Sequence, residues 1–386
     1  MDEATQMFEF RIAPKIIFGL GSVEKTADEV KTLGGSRVLI VTDKGLMKTD
    51  LIEKVIASLK NVEFTIFDSV EPNPKDTNVA EGLELLRKKN CDLILGFGGG
   101  SPMDVAKMIA ALATNPGNIW EYQGIEKFKS PPLPLILVPT TAGTGSEVSR
   151  AAMITNGRGR RKILFLSWHL TAKTAILDPE LTTKLPPNLT IWSGMDALSH
   201  AVESYVSKMA NPLTDMYSEK AISLIINNIE RAVKNGDDAE ARNNMLLGSL
   251  LAGIATANAR LGNIHGMAHA IGGEYDLPHG LLCGSLLPVV TRYNLDYCAE
   301  KLKRIAEIMG ENIKNLTTRQ AAERAVELIE ALCRKLGIPQ KLEELGLKTD
   351  EISDLVEKTD IIPTNPRPTT KKDLSELYKM AITGSA

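Results

Sequence analysis

Through the first half of the chain, short apolar runs alternate with stretches in which apolar residues recur every three or four positions. Residues 37–43 carry Val38, Leu39, Ile40 and Val41 in succession and predict a buried strand. Leu51, Val55, Ile56 and Leu59 then share one helical face. A second strand is expected over 62–70, ending at the turn signal Glu71-Pro72-Asn73-Pro74. A helix over 76–89 and a strand over 92–97 follow, with a further apolar strand over 133–138. Strand, helix, strand in this rhythm predicts parallel βαβ units with a nucleotide-binding edge at the strand C-termini. After Pro186-Pro187 the pattern becomes helical. Ile222, Ile225, Ile226, Ile229 and Val233 repeat at helical spacing, as do Ala322, Val326, Ile329, Cys333 and Leu336 before the stop Gly337-Ile338-Pro339. No strand is expected beyond residue 185, and residues 362–370 read as a loop. The expected architecture is an α/β dinucleotide-binding domain over 1–185 and an all-α metal-binding, catalytic domain over 186–386.

Candidate chemistry sits on both halves. Four of the five histidines lie between residues 200 and 279. Asp196 and His200 are four residues apart, so a helix projects them from one face toward one ion. His265 and His279 bracket a Gly-rich stretch interrupted by Pro278. One carboxylate and three imidazoles suit a divalent transition metal with a position left open for substrate. The bland alternative is a surface pair or a satisfied core histidine. His265 and His269 share the spacing of a zinc-protease motif, but Gly266 stands where its general-base glutamate belongs.

In the first half, Gly98-Gly99-Gly100-Ser101 follows a strand and opens a helix with Pro102 at its start. Glycines let the backbone approach a pyrophosphate, and a helix N-terminus offers free N–H groups. Counted from Gly96, the run misses the dinucleotide fingerprint at its last position, Ser101, so a tight connection is the alternative reading. Residues 139–147, from Pro139 through Thr140, Thr141 and Thr144 to Ser146 and Glu147, form a second loop of hydroxyls and glycines. It suits a phosphate-bearing ligand, or caps the next helix. Asp43, at the tip of its strand, is placed to accept from an adenosine ribose and to repel a 2′-phosphate, favouring NAD over NADP; otherwise it is an N-cap.

Composition narrows the rest. Lys and Arg number 45 against 48 Asp and Glu, a net charge of −3, which leaves no footprint for nucleic acid or anionic membrane. No apolar run approaches a membrane span, and the acidic Met1 to Gln6 stretch does not read as a signal peptide. Cys91, Cys283, Cys298 and Cys333 are scattered, without disulfide or structural-zinc spacing. A cytoplasmic protein is expected, as a homodimer or higher homo-oligomer.

Together the motifs resemble the iron-containing (group III) alcohol dehydrogenase family over nearly the whole chain. They run from Gly98 through Ser101, Asp104 and Lys107, to Pro139–Glu147 as a loop, to the segment from Asp196 to Glu203, and to that from Gly262 to Gly280. The resemblance implies a Rossmann-like N-terminal domain and a helical C-terminal domain. It implies Asp196, His200, His265 and His279 as metal ligands, with Fe²⁺ the usual ion and Zn²⁺ or another divalent ion acceptable. It further implies NAD(H) contacts from Asp43, Asn73, Gly99, Gly100, Ser101, Asp104, Thr140, Thr141, Thr144 and Lys162. His269 matches a histidine near the nicotinamide and is the candidate proton carrier. Arg260 and Arg150 stand where family members carry small or apolar residues, and the segment Ser167-Trp168-His169-Leu170 also departs from the pattern.

The activity implied is metal-dependent, NAD(H)-linked interconversion of a small primary alcohol and its aldehyde. Arg260, with Arg150, would admit a substrate bearing an anionic group. A metal- and NAD-dependent lyase of the dehydroquinate-synthase type shares the architecture, but the stretches around His265–His269 and His279 weigh against it. A metal-dependent hydrolase would need a general-base carboxylate beside the histidines, and none is apparent.

Overall fold

The computed structural model describes residues 7–157 and 161–384. The N-terminal stretch Met1 to Gln6 lies outside the described residues. The N-terminal half runs β1 (Lys15–Phe18), α1 (Thr26–Thr32), β2 (Arg37–Val41), α2 (Leu51–Leu59), β3 (Glu63–Phe67), α3 (Asp76–Lys88), β4 (Leu93–Gly98) and α4 (Gly100–Thr114). It continues with β5 (Gly124–Ile125), β6 (Leu135–Pro139), β7 (Ala151–Asn156), β8 (Arg161–Leu166) and β9 (Thr174–Leu177).

Six strands form one parallel sheet in the order β1-β9-β6-β4-β2-β3. The apolar runs of β2, β4 and β6 are continuous because both faces of the sheet are covered. Leu39, Val41, Ile94, Leu135 and Leu137 pack into one core with α3 and α4 residues such as Val79 and Met108. Val38, Ile40, Leu93, Leu95, Ile136 and Val138 pack into another with Val55 and Leu59 of α2. From β2 the chain crosses outward to β3, whereas from β4 it crosses the other way to β6. The C-terminal ends of β2 and β4 therefore flank a topological switch point, where open α/β sheets bind ligands.

A three-stranded sheet, β5-β8-β7, is an addition to the sequence-based expectation, as are the short strands β1 and β9. These strands are too short, or too mixed in polarity, to stand out as apolar runs. β7 and β8 pair antiparallel, with Thr155 opposite Lys162.

The remaining helices are α5 (Pro187–Val206), α6 (Pro212–Lys234), α7 (Ala239–Ala259), α8 (Asn263–Tyr275), α9 (His279–Asn294), α10 (Ala299–Ile308), α11 (Thr318–Lys335), α12 (Ile352–Lys358) and α13 (Lys371–Thr383). Among the described residues no strand follows β9, in keeping with the helical reading. α11 begins at a Thr317–Gln320 capping box and ends at Gly337, whose φ of 71° is the left-handed stop the sequence signalled. α9 packs on α8, α11 and α13.

The chain divides into two compact units. Among the described residues, one takes in those between Ala13 and Thr190 with Arg231–Leu246; the other takes in Ile191–Glu230 with residues 247–384 and 7–12. Apart from the break after Ile12, the boundaries fall inside α5, α6 and α7. No single helix among the described residues is long and apolar enough to cross a membrane.

Candidate metal and dinucleotide sites

In the helical unit, three elements bring imidazoles to one carboxylate. α5 carries Asp196 and His200 one turn apart, the first turn of α8 carries His265, and His279 is the first residue of α9. Gly280 permits the approach of α9 to α5, because a Cβ there would lie 1.9 Å from the Trp192 carbonyl oxygen. Asp196 Oδ1 lies 3.4 Å from His265 Nε2, 3.5 Å from His279 Nε2 and 3.8 Å from His200 Nδ1.

These separations are long for hydrogen bonds. They match the spacing of about 3.4 Å between donors that sit about 2.1 Å from one tetrahedral ion. Asp196 Oδ1 and His265 Nε2 are both buried without a hydrogen-bond partner, which is costly unless something else satisfies them. The donors of Asp196, His265 and His279 lie within 4.8 Å of one another and fit a divalent metal, whereas His200 stands outside that group, with its Nδ1 3.8 Å from Asp196 Oδ1. Burial acts against the charge of Asp196, but the imidazoles of His200, His279 and His265 outweigh it and hold the carboxyl well below the usual range.

Two further side chains belong to this cluster and were given no role from the sequence. Glu203, buried on α5, accepts from His265 Nδ1 at 2.7 Å and from the Ile264 amide at 2.6 Å. One oxygen thus turns the Nε2 of His265 toward Asp196 while the other caps the N-terminus of α8. Gly262 leaves room for it, since a Cβ there would come within 2.9 Å of Glu203 Oε1. Positions 196, 200 and 203 share a helical face, and that spacing was the available signal. Cys283 stands one turn after His279, with Sγ 3.5 Å from His279 Nε2.

His269, one turn after His265, stacks on the His279 ring at 5.1 Å between centroids and is only partly buried. Arg260 follows α7 at φ 64°, a left-handed conformation unusual for a residue with a Cβ. Its Nε is buried without a hydrogen-bond partner.

In the α/β unit, most of the residues expected to bind a dinucleotide gather at the C-terminal edge of β3, β2, β4 and β6, which are consecutive in the sheet, whereas Lys162 lies on β8 of the three-stranded sheet. Asp43 follows β2, Asn73 (φ 53°) lies in the turn after β3, Gly99 to Ser101 open α4, and Thr140, Thr141 and Thr144 follow β6. Gly98 pairs with Pro139 in register, and the Thr140 amide donates to the Gly98 carbonyl at 3.0 Å. The two loops consequently lie side by side. A Cβ on Gly100 would meet Thr144 Cγ2 at 2.9 Å, so a bare backbone is required there. No side chain caps α4, which leaves its first amides available to an anion.

Not every expected contact faces outward. Asp43 Oδ1 accepts from the amides of Gly45 and Leu46, so it does cap the following turn. Asp104 accepts from Ser146 Oγ at 2.8 Å and from the Met153 amide at 2.9 Å. Lys107, fully buried, donates to Ser146 Oγ, Ser149 Oγ and the Ala151 carbonyl. Together these two fasten the 140–149 loop from below. Glu147 is buried beside them, and burial pushes its carboxyl up to about 7 against the attraction of Lys107.

Arg150 lies 3.4 Å from Glu126 Oε1 and 4.8 Å from the centre of the Trp168 ring. Ser167 Oγ donates to the same Glu126 at 2.7 Å, and the Trp168 amide donates at 3.2 Å. Arg150 and the Ser167–Leu170 segment are thus parts of one local cluster.

The family model for iron-containing alcohol dehydrogenase matches residues 13–179, and that for the C-terminal part of the Fe-containing alcohol dehydrogenase family matches 190–382. The chain is 44% identical to a 1,3-propanediol dehydrogenase of Citrobacter freundii, over 97% of this chain and 99% of that one. It is 39% identical to an NAD-dependent methanol dehydrogenase of Bacillus methanolicus, over 97% of this chain and 100% of the relative. A crystal structure of a 1,3-propanediol oxidoreductase superposes with a TM-score of 0.95 at 43% identity, covering 98% of this chain and 100% of that one.

Proposed function

The chain belongs to the iron-containing alcohol dehydrogenase family, an NAD(H)- and metal-dependent oxidoreductase family, and from that premise we infer that its substrate is a short primary alcohol or the matching aldehyde. The observation that carries the reading is the convergence of His265 Nε2 and His279 Nε2 on the buried, unsatisfied Asp196 Oδ1. Asp196, His200, His265 and His279 hold the ion, and Glu203 keeps His265 in the tautomer that presents Nε2. When bound, the ion supplies Lewis-acid polarisation of the substrate oxygen and NAD⁺ the acceptor for hydride. Gly99, Gly100 and Ser101 receive the pyrophosphate at the start of α4, beside Thr140, Thr141 and Thr144. Asp43, Asn73 and Lys162 complete the cofactor contacts, and Asp104 holds the threonine loop in place. His269 carries the hydroxyl proton to or from solvent, and His269→Ala should lower the rate and alter its pH profile without loss of metal.

The test is Asp196→Ala and His265→Ala in the full chain. Each should lose metal by elemental analysis and lose alcohol oxidation, while NADH binding, followed by fluorescence, persists. Full metal content in both variants would refute the ligand assignment.

A substrate with an anionic group is a second reading, favoured by the unsatisfied Nε of Arg260 and its strained backbone. Arg150, already engaged by Glu126 and Trp168, is the weaker partner in it. Short aldehydes with and without a terminal anion, compared on Arg260→Ala, decide it: equal treatment of both classes makes Arg260 structural. A cytoplasmic homo-oligomer completes the proposal. Four buried free cysteines and exposed Met209, Leu213 and Met216 support it, and sedimentation and cell fractionation would check it.

A further inference from the structure

The first turns of α9 carry a second metal-binding atom type beside His279, and the mechanism above leaves it unused. Cys283 follows His279 by one helical turn on α9, as His200 follows Asp196 on α5. The Cys283 side chain is fully buried. One donor atom each from Asp196, His265, His279 and Cys283 all lie within 4.8 Å of one another, and Sγ is 3.5 Å from His279 Nε2. Sulfur at about 2.3 Å and nitrogen at about 2.1 Å from one tetrahedral ion would be separated by about 3.6 Å. The backbone also brings α9 close to α5 along these turns. A Cβ on Gly284 would lie 3.3 Å from Met195 Cβ, and one on Gly280 would collide with the Trp192 carbonyl. α9 therefore runs close along α5 over the turns that bear both His279 and Cys283.

We propose that Cys283 Sγ is a direct ligand of the metal ion that Asp196, His265 and His279 hold. On binding, the S–H bond gives way to a sulfur–metal bond and the proton leaves to solvent. A thiolate is softer than imidazole or carboxylate, so the site should favour Zn²⁺ over a harder ion such as Mn²⁺ more than a nitrogen and oxygen set would. The inference rests on the ligand reading above, and its test separates the two.

The full chain is loaded with Co²⁺ and its near-ultraviolet absorption recorded. The unmodified protein should show a sulfur-to-cobalt charge-transfer band. Cys283→Ala should retain cobalt and lose the band, and the nearly isosteric Cys283→Ser should do the same if the smaller side chain impairs folding. Cys91, Cys298 and Cys333 remain in both variants and serve as an internal control. In competition between zinc and manganese, the preference for zinc should fall about tenfold in Cys283→Ala. Absence of the band in the unmodified protein, or its survival in Cys283→Ala, overturns the inference. If the band fails that test while Asp196→Ala still loses its cobalt, the ligand reading above stands and Cys283 is only a neighbour of His279. Cobalt fully retained by Asp196→Ala overturns both.

Discussion

A carboxylate one turn from an imidazole is common on helices; Asp196 differs in that nitrogens from three helices surround one of its oxygens. Orientation of those nitrogens then depends on their other contacts. Glu203→Gln keeps the shape of the side chain but presents an amide N–H₂ either to His265 Nδ1 or to the Ile264 amide, where two acceptors are now needed. Metal affinity, measured by chelator competition, should fall about 10–100-fold. Unchanged affinity would reduce Glu203 to a cap for α8. On the other unit, Asp43→Gly should narrow the preference for NAD over NADP by removing repulsion of a 2′-phosphate. Equal specificity constants for the two cofactors in the unmodified protein would contradict that role.

At the scale of elements, both sites are made where backbones come close. β4 ends in glycines beside the threonines that follow β6, and α9 begins in a glycine against α5. A methyl group has no room at Gly280, so Gly280→Ala should push α9 from α5 and carry His279 away from Asp196. The expected cost is about 1–3 kcal/mol of stability, read as a lower Tm, together with weaker metal retention. Wild-type metal content in that variant would show that the helix pair is not what sets the ligand spacing.

For the whole molecule, the charged groups buried beneath the 140–149 loop should make stability depend on pH. Burial raises Glu147 from 4.5 to about 7 in the folded chain, so between those values the folded state holds a proton that the unfolded state has released. Its contribution to stability is therefore greatest below pH 4.5 and declines as pH rises through 7, by up to about 3 kcal/mol. Glu147→Gln should flatten that part of the stability-versus-pH curve, with the buried Lys107 and the half-buried Asp104 left beside it. An identical curve for the variant and the unmodified protein would place the carboxyl in contact with water.

The alternation of apolar runs was enough to establish the order of β2, α2, β3, α3, β4 and β6, and the change to helical periodicity after Pro186, because buried parallel strands and amphipathic helices leave opposite repeats in a sequence. Spacing alone also brought Asp196 and His200 together, since one turn of helix is a local property. Short strands such as β1 and β9 were not legible: they are stabilised by neighbours distant in sequence rather than by their own pattern. The distance from Asp196 to His265 and His279, the hold of Glu203 on His265, and the arrival of Cys283 in the cluster were likewise decided only by the packing of α5, α8 and α9. Arg150 shows the same limit from the other side, for its charge was evident from the sequence, whereas its engagement with Glu126 and Trp168 depended on β5, β7 and β8 folding into one sheet. Local periodicity specifies which residues share a face; which faces meet is a long-range matter of what can be buried against what.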